Sequence, residues 1–559
     1  SAGWKSNNDT AYSFIGGGYQ NIISAGTIQG TIVGGIQNYM AKASSSIIGA
    51  GRYNVISGGG STYQYSFLGE ELSVIGGGLQ NKLYKTPLSF IGAGSKNLIT
   101  GQTHSFIGGG ESNTISANTH GVIVGGIGNL LTMAPFYHPQ TTGKPVYKAN
   151  VIAGGWDNTI SGCSISFMGS GMLNKLKHTL GSSIVAGSGN TINLGGTTGP
   201  TNTAGDNSFI GAGVINTITP VSGSGIVNHA IQSAIVGGSK NLISGGTGSM
   251  VGTGSNNQIY TSQSSFIGSG SDNIIQGHGY TAPAGTGATI AWPTEMHTSI
   301  VGGQANLSNN TKYGFIGGGW RNTISGGHRT SIVGGSDNNI KDFSGSTIGG
   351  GSWNTITTYF NPSAAGAQPF QNTKNQVDSF IGNGKYNTIS GASYSVIVGG
   401  SGNTINPAST TGATGLGDGL SGVTSFIGTG FDNYISGATQ SSILNGSHNI
   451  IKFSSIDPDF GSLPDYTARL FWGPARKDLL ILAGDHNQIT DYGPQDIPAG
   501  VRFNYTTPRK STIINGRHNL ISGSNASTIV NGKANTITNN GWDLFGENTI
   551  LNGSGNTID

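Results

Sequence analysis

One phrase returns 26 times along this chain: Ile, a variable residue, a small residue, Gly, two free residues, Asn, any residue, Ile. The stretch FIGGGWRNTISGGHRTSIVGGSDNNI, residues 315–340, says nearly the same thing twice, sixteen residues apart. The Gly is present in every copy, from Gly18 through Gly110, Gly319, Gly335, Gly351 and Gly516 to Gly553. The Asn three residues later is equally constant, from Asn21 through Asn113, Asn322, Asn338, Asn354 and Asn519 to Asn556. Fourteen of the 25 intervals between copies are sixteen residues, and the longer ones carry insertions. An internal period of this size marks a solenoid, in which each repeat buries its apolar face only by stacking on its neighbours.

The apolar residues of the phrase alternate with a period of two and are mostly β-branched, while Gly and Asn punctuate every few residues. That is strand and turn chemistry. The expected fold is therefore all-β: a parallel β-solenoid of about 26 coils with a basic period of sixteen residues, each coil two short strands and two turns. The G-x-x-N turn uses Gly, which can take positive φ, and Asn, which tolerates it better than most residues. Stacking puts the Asn residues in register, where their amides can hydrogen-bond along the axis as in other Asn ladders.

The residues on either side of the first apolar position are coupled. Phe before it goes with Gly after it, as in Phe14/Gly16, Phe90/Gly92, Phe106/Gly108, Phe315/Gly317 and Phe380/Gly382. Ser, Thr or Ala before it usually goes with Val, Ile or Leu after it, as in Thr31/Val33, Ala234/Val236 and Ser331/Val333, with Thr347/Gly349 an exception. Residues i and i+2 of a strand share a face, so one large side chain per coil is allotted to that face. The central Ile takes the opposite face. Both faces of this strand are thus apolar, which implies cover on both. The expected partner is the same chain, in a homo-oligomer read as a trimer. The alternative is that the insertions fold back over that face.

Composition excludes several classes. Gly contributes 99 of 559 residues, only 9% are charged, and the net charge is +3 without basic or acidic blocks, so no nucleic-acid footprint is present. No run approaches the roughly 18 apolar residues of a membrane helix, so no membrane insertion is expected. The N-terminal SAGWKSNNDT does not read as a signal peptide. The single cysteine, Cys163, excludes an internal disulfide framework and a cysteine zinc site. Copies such as GAGSKN and GTGSNN carry two of the three glycines of a dinucleotide fingerprint, but no helix follows them. Asn stands where a calcium-binding nonapeptide repeat needs Asp. No cofactor is expected.

The unit S-F-I-G-x-G-x-x-N-T-I-S-G resembles the β-roll head repeats of trimeric autotransporter adhesins, and is more similar still to the Gly/Asn-repeat shafts of phage tail fibres. The resemblance covers residues 14–558. It implies a trimeric β-solenoid fibre with an attachment role, placed outside the cell, on a cell surface or on a virion, and it carries no catalytic residues. The expected function is a non-enzymatic structural or adhesive fibre. The alternatives are a subunit of an extracellular filament stacked end to end and, more distantly, a polysaccharide-acting enzyme. Neither end of the sequence carries a polar cap, which fits such stacking. At a strand spacing of about 4.8 Å, 26 coils make a rod of roughly 125 Å.

Three regions are expected: a lead-in at 1–13, a solenoid with inserted loops at 14–438, and a C-terminal variant solenoid at 439–559. In the last, the small position often becomes Asn (Asn445, Asn515, Asn531, Asn552). Every long insertion follows the second strand, so the loops form a fringe on one edge, where repeat proteins often bind partners. The fringe carries Phe136, Tyr137, Tyr280, Trp292, Tyr359, Phe471, Trp472, Tyr505 and Trp542. Their aromatic faces can meet a cell-surface glycan or protein receptor, although packing of the loops themselves or of neighbouring chains weighs more. Trp156, Trp320, Trp353 and Phe431, in the first turn, read as chain–chain contacts.

His448, His486 and His518 share one turn position, just before Asn, in three successive copies. They are expected to stack as a column. A solvated turn outweighs a metal site there, so no metal is expected. Asp157, Asp272, Asp337 and Asp432 share the same position but never in adjacent copies, so no carboxylate pair for glycoside cleavage follows. Thr follows the Asn in only 10 of 26 copies, too irregular for an ice-binding array.

Overall fold

A computed structural model of the chain describes residues 12–24, 26–58, 72–101, 103–132, 149–194, 207–220, 232–277, 296–357, 378–392, 394–406, 424–437, 440–452, 479–490, 510–523, 526–538 and 548–559. Every regular element among them is a strand of two or three residues. The chain forms two compact units, divided between Asp272 and Asn273. Each is a parallel β-solenoid.

In the first unit, the first strands of successive coils pair in parallel from Phe14–Ile15 and Thr31–Ile32 to Met250–Val251 and Phe266–Ile267. The second strands pair likewise, from Ile22–Ile23 to Gln258–Tyr260. The second unit repeats the arrangement, from Ser299–Ile300 to Thr549–Ile550 and from Ile274–Gln276 to Thr557–Ile558. Like motif positions always face each other: Phe90 pairs with Phe106 and Ile91 with Ile107. Insertions do not shift this register. Val122 pairs with Val151, and Thr347 with Phe380, although more than sixteen residues separate each pair. A third ladder of single-residue bridges follows the first turn, as in Ser95↔Glu111↔Ile127. A coil therefore has more sides than the two strands expected from its sequence.

The period-2 alternation places the Ile position of each strand inward. Ile91, Ile107 and Ile123 from the first strands, and Ile99, Ile115 and Leu131 from the second, have no solvent exposure. Each such burial contributes about 2 kcal/mol. Met168 and Val251 fill the same column without exposure. The single cysteine, Cys163, also points inward from a second turn. The interior is thus a stack of aliphatic pairs one strand spacing apart.

One expectation about the turn is corrected. The residue at left-handed φ is not the Asn but the free residue before it. That position has φ between +50° and +71° throughout, and its occupants include Ile215 (+59°), Leu173 (+58°) and Trp353 (+59°). The twist turns its N–H back towards the preceding coil: Gln37 donates to Tyr19 O at 2.8 Å, and Ser112 to Ser95 O at 2.8 Å. The strand residues instead donate forward, as Phe106 does to Gly121 O at 2.9 Å. A left-handed L-residue costs roughly 1 kcal/mol. The recovered hydrogen bond offsets this, and the side chain points out, so almost any residue type is accepted.

Candidate functional site

Two polar ladders run inside each unit. The backbone N–H of each Asn follows the left-handed residue and has no partner in the strand ladders. The side chain of the Asn one coil earlier supplies it: Asn113 N donates to Asn97 Oδ1 at 3.0 Å, and Asn129 N to Asn113 Oδ1 at 3.1 Å. The amide of Asn113 donates to Gly109 O at 3.1 Å, Gly126 O at 2.8 Å and Asn97 Oδ1 at 3.1 Å. One side chain must therefore accept and donate at once. Asp cannot donate, and Gln is one methylene too long. In the second unit Asn322, Asn338 and Asn354 repeat the geometry, and Asn519 and Asn556 do so in the variant coils. Asn21, in the first described coil, donates to Gly17 O at 2.8 Å and Gly35 O at 2.9 Å.

The turn Gly belongs to the same device. From Gly18 to Gly553 its φ lies between +82° and +131°. A Cβ on Gly110 would lie 2.7 Å from Asn113 Nδ2 and would also strike Gly126 O. The Gly makes room for the buried amide as well as for the turn. Gly319, Gly335 and Gly351 meet the same two obstacles, and Gly516 likewise.

The second ladder was not singled out from the sequence. The Ser just before the first strand is buried in most coils. Ser105 N donates to Ser89 Oγ at 3.3 Å, and Ser105 Oγ donates across the coil to Asn118 O at 2.9 Å. Asn150 substitutes with its amide on Cys163 O at 2.9 Å. The signal was present, as the S of the S-F-I-G unit. It stayed silent because a Ser beside a turn reads as ordinary loop chemistry.

Outward, the two sides of the coil differ. Phe14, Phe90, Phe106, Phe167, Phe209 and Phe266 are 36–58% exposed, and Val33, Val124, Val185 and Val236 stand beside them. The Phe90 and Phe106 rings stack at 5.4 Å and 5°. The ring of Phe106 lies over Gly108: a Cβ there would come 3.3 Å from Phe106 Cε1 and would first strike Val124 O of the next coil, so the ring is one of two obstacles at this position. The adjoining first-turn column adds exposed Ile36, Leu79, Ile127, Trp156, Met172 and Val214. The second unit has a face of the same kind, made by Phe315, Phe380, Val333, Val398 and Leu444. The outer positions of the second strand are mostly Thr, Lys, Ser, Asn and Gln.

The fringe aromatics Phe136, Tyr137, Tyr280, Trp292, Tyr359, Phe471, Trp472, Tyr505 and Trp542 lie outside the described residues. Of the first-turn aromatics, Trp320 lies under the Arg321 guanidinium at 3.8 Å, and Trp353 stacks on Tyr386 at 6.1 Å. Phe431 meets His448 edge-on at 5.4 Å. Trp353–Tyr386 and Phe431–His448 join successive coils, while Trp320 is covered by the next residue of its own turn. Asp337 pairs with Arg321 at 2.7 Å and Asp272 accepts from Asn256 at 2.8 Å, each bound to a residue one coil earlier.

His448, His486 and His518 do form a column, with ring centroids 4.5 Å and 4.9 Å apart. The structure adds Asp485 to it. Its Oδ1 accepts from Ser447 Oγ at 2.7 Å and lies 2.8 Å from His486 Nδ1, while Arg517 Nε stands 3.3 Å from Oδ2. The Ser447 hydrogen bond, with smaller help from His486 and Arg517, holds this carboxyl below its ordinary value of 3.8. One imidazole is also shifted: burial first, then the charges of Arg329 and Lys312, hold His328 below 6.5.

Comparison with known proteins finds no matching family model and no curated protein similar in sequence.

Proposed function

We propose that this chain is the shaft of a non-enzymatic attachment fibre, of the phage tail-fibre or surface-adhesin kind, working outside the cell as a homotrimer. The observation that carries the reading is the asymmetry of the outer surface. Soluble monomers rarely leave large contiguous apolar patches, yet one side of each unit presents Phe, Val, Ile and Trp coil after coil, while the outer positions of the second strand are mostly polar, with Ile22, Leu98, Leu130 and Leu242 among the exceptions. In each unit, a stack of registered coils with one apolar side fits lateral association with copies of itself. The ladders suit a shaft as well. The described coils are joined by buried hydrogen bonds, which stiffen each stack without a disulfide framework. Attachment is assigned to the inserted segments, whose sequences carry the aromatic residues, and a glycan or protein receptor is their expected partner.

Light scattering of the purified chain tests the association. A trimer has three times 56.9 kDa, about 171 kDa, and a Phe106→Asp, Val124→Asp variant sheds it to one third while keeping its β-sheet circular dichroism. A stable wild-type monomer removes the reading. Unlimited filaments in negative stain would replace the fixed-length shaft by end-to-end polymers.

A further inference from the structure

The histidine column of the second unit holds more than stacked rings. His448 (φ +53°) and His486 (φ +53°) occupy the left-handed position of successive coils, so their side chains leave the coil in the same direction. Asp485 stands in the neighbouring bridge column, between Ser447 and Arg517. His448 Nδ1 is shielded from solvent and has no hydrogen-bond partner. It faces Asp485 Oδ1 at 3.7 Å. From the other side, His486 Nδ1 lies 2.8 Å from the same oxygen. One ligand atom from each of the three residues lies within 4.8 Å of the others, and no other such group of His, Cys, Asp or Glu occurs among the described residues.

We propose that His448, Asp485 and His486 form a binding site for a zinc-type divalent cation, using the two Nδ1 atoms and Oδ1. Two ligand atoms each about 2.1 Å from a tetrahedral ion are about 3.4 Å apart. The observed 3.7 Å and 2.8 Å lie on either side of that spacing. The rings are within 14° of parallel, so their in-plane lone pairs converge only after the exposed His486 ring turns about its side-chain torsions. An ion therefore replaces the ring stacking. It also takes the place of the proton between His486 Nδ1 and Asp485, with that proton carried on Nε2 instead.

The surroundings favour this class of ion over calcium or magnesium. Two imidazoles and one carboxylate suit zinc, copper or nickel, whereas hard cations need more oxygens. The Arg517 cation 3.3 Å from Oδ2 repels an ion held by charge alone. The same guanidinium and the Ser447 hydroxyl, 2.7 Å from Oδ1, hold the carboxylate in place as outer partners of metal ligands do. The stacked pair His104–His120, with centroids 4.9 Å apart, has the imidazoles but forms no such group with a carboxylate among the described residues, and serves as an internal control.

The test is a titration of the full chain, without an affinity tag and dialysed against chelator, with Co²⁺ followed by its visible absorption, then Zn²⁺ in competition. The expected result is one saturable equivalent per chain with the intense bands of a four-coordinate ion, displaced by Zn²⁺. Asp485→Asn and His486→Ala each weaken it by more than the roughly 10- to 100-fold that loss of an outer partner costs, and His104→Ala leaves it unchanged. Circular dichroism confirms that each variant is folded. Absence of saturable Co²⁺ binding overturns the site, as does binding that survives both Asp485→Asn and His486→Ala.

Discussion

Replacing Asn113 by Ala removes one rung of a ladder whose cost can be worked bond by bond. The rung accepts Asn129 N at 3.1 Å. That N–H is buried with its residue at 0% exposure and has no strand partner to turn to. Leaving it unpaired costs about 2 kcal/mol. The amide bonds to Gly109 O, Gly126 O and Asn97 Oδ1, and the bond accepted from Asn129 Nδ2, together add about 1 kcal/mol. They add no more because Gly126 O still accepts Glu111 N at 3.0 Å. Asn113 N keeps its own acceptor, Asn97 Oδ1. The total is about 3 kcal/mol, or about 100-fold in an opening equilibrium. Solenoid stability is a sum over neighbouring coils, so the loss stays near the rung. Hydrogen–deuterium exchange reads it directly: amides at 113–116 and 129–132 exchange about 100-fold faster, while coils farther along keep their rates. Ser112→Ala, one residue away at the exposed left-handed position, changes stability by less than about 0.5 kcal/mol. Rates at Asn129 within threefold of wild type would refute the assignment of its N–H to the Asn113 side chain. A uniform acceleration along the whole unit would refute the nearest-neighbour reasoning.

Two further outcomes follow from the same geometry. Gly319→Ala places a Cβ at φ +93°, 2.6 Å from Asn322 Nδ2 and against Gly335 O, and costs at least about 3 kcal/mol; Gly318→Ala next to it meets nothing within 4 Å and is close to neutral, so equal melting temperatures for the two would contradict the turn geometry. His328 is held below 6.5 when folded, so the unfolded chain binds its proton first; the His328 contribution is full above 6.5 and falls away as pH drops from 6.5 to the folded value. An NMR titration of the His328 ring gives a midpoint below 6.5 that rises in Lys312→Ala and Arg329→Gln, and a midpoint at or above 6.5 in the wild type would refute the stated cause.

Much of this molecule is written locally. The two-residue alternation that sends Ile107 and Ile115 inward, the constant Gly110 and Asn113, and the sixteen-residue return are all properties of neighbouring residues, so the coil and its parallel stacking follow from the sequence alone. The coupling of Phe106 to Gly108 was legible too, because both lie on one strand face. The left-handed residue was not. It projects outward, accepts Ile215 as readily as Trp353, and so leaves no compositional trace. The Ser89–Ser105 ladder hid behind a residue type common in every turn. Asp485 was invisible for a different reason: it meets Ser447 across 38 residues, and only the register of stacked coils, which ignores the length of the chain between them, brings it to His448. The sequence determined what each coil is made of. The stacking decided which side chains of different coils meet, because each contact between coils depends on a fixed rise along the axis and not on distance along the chain.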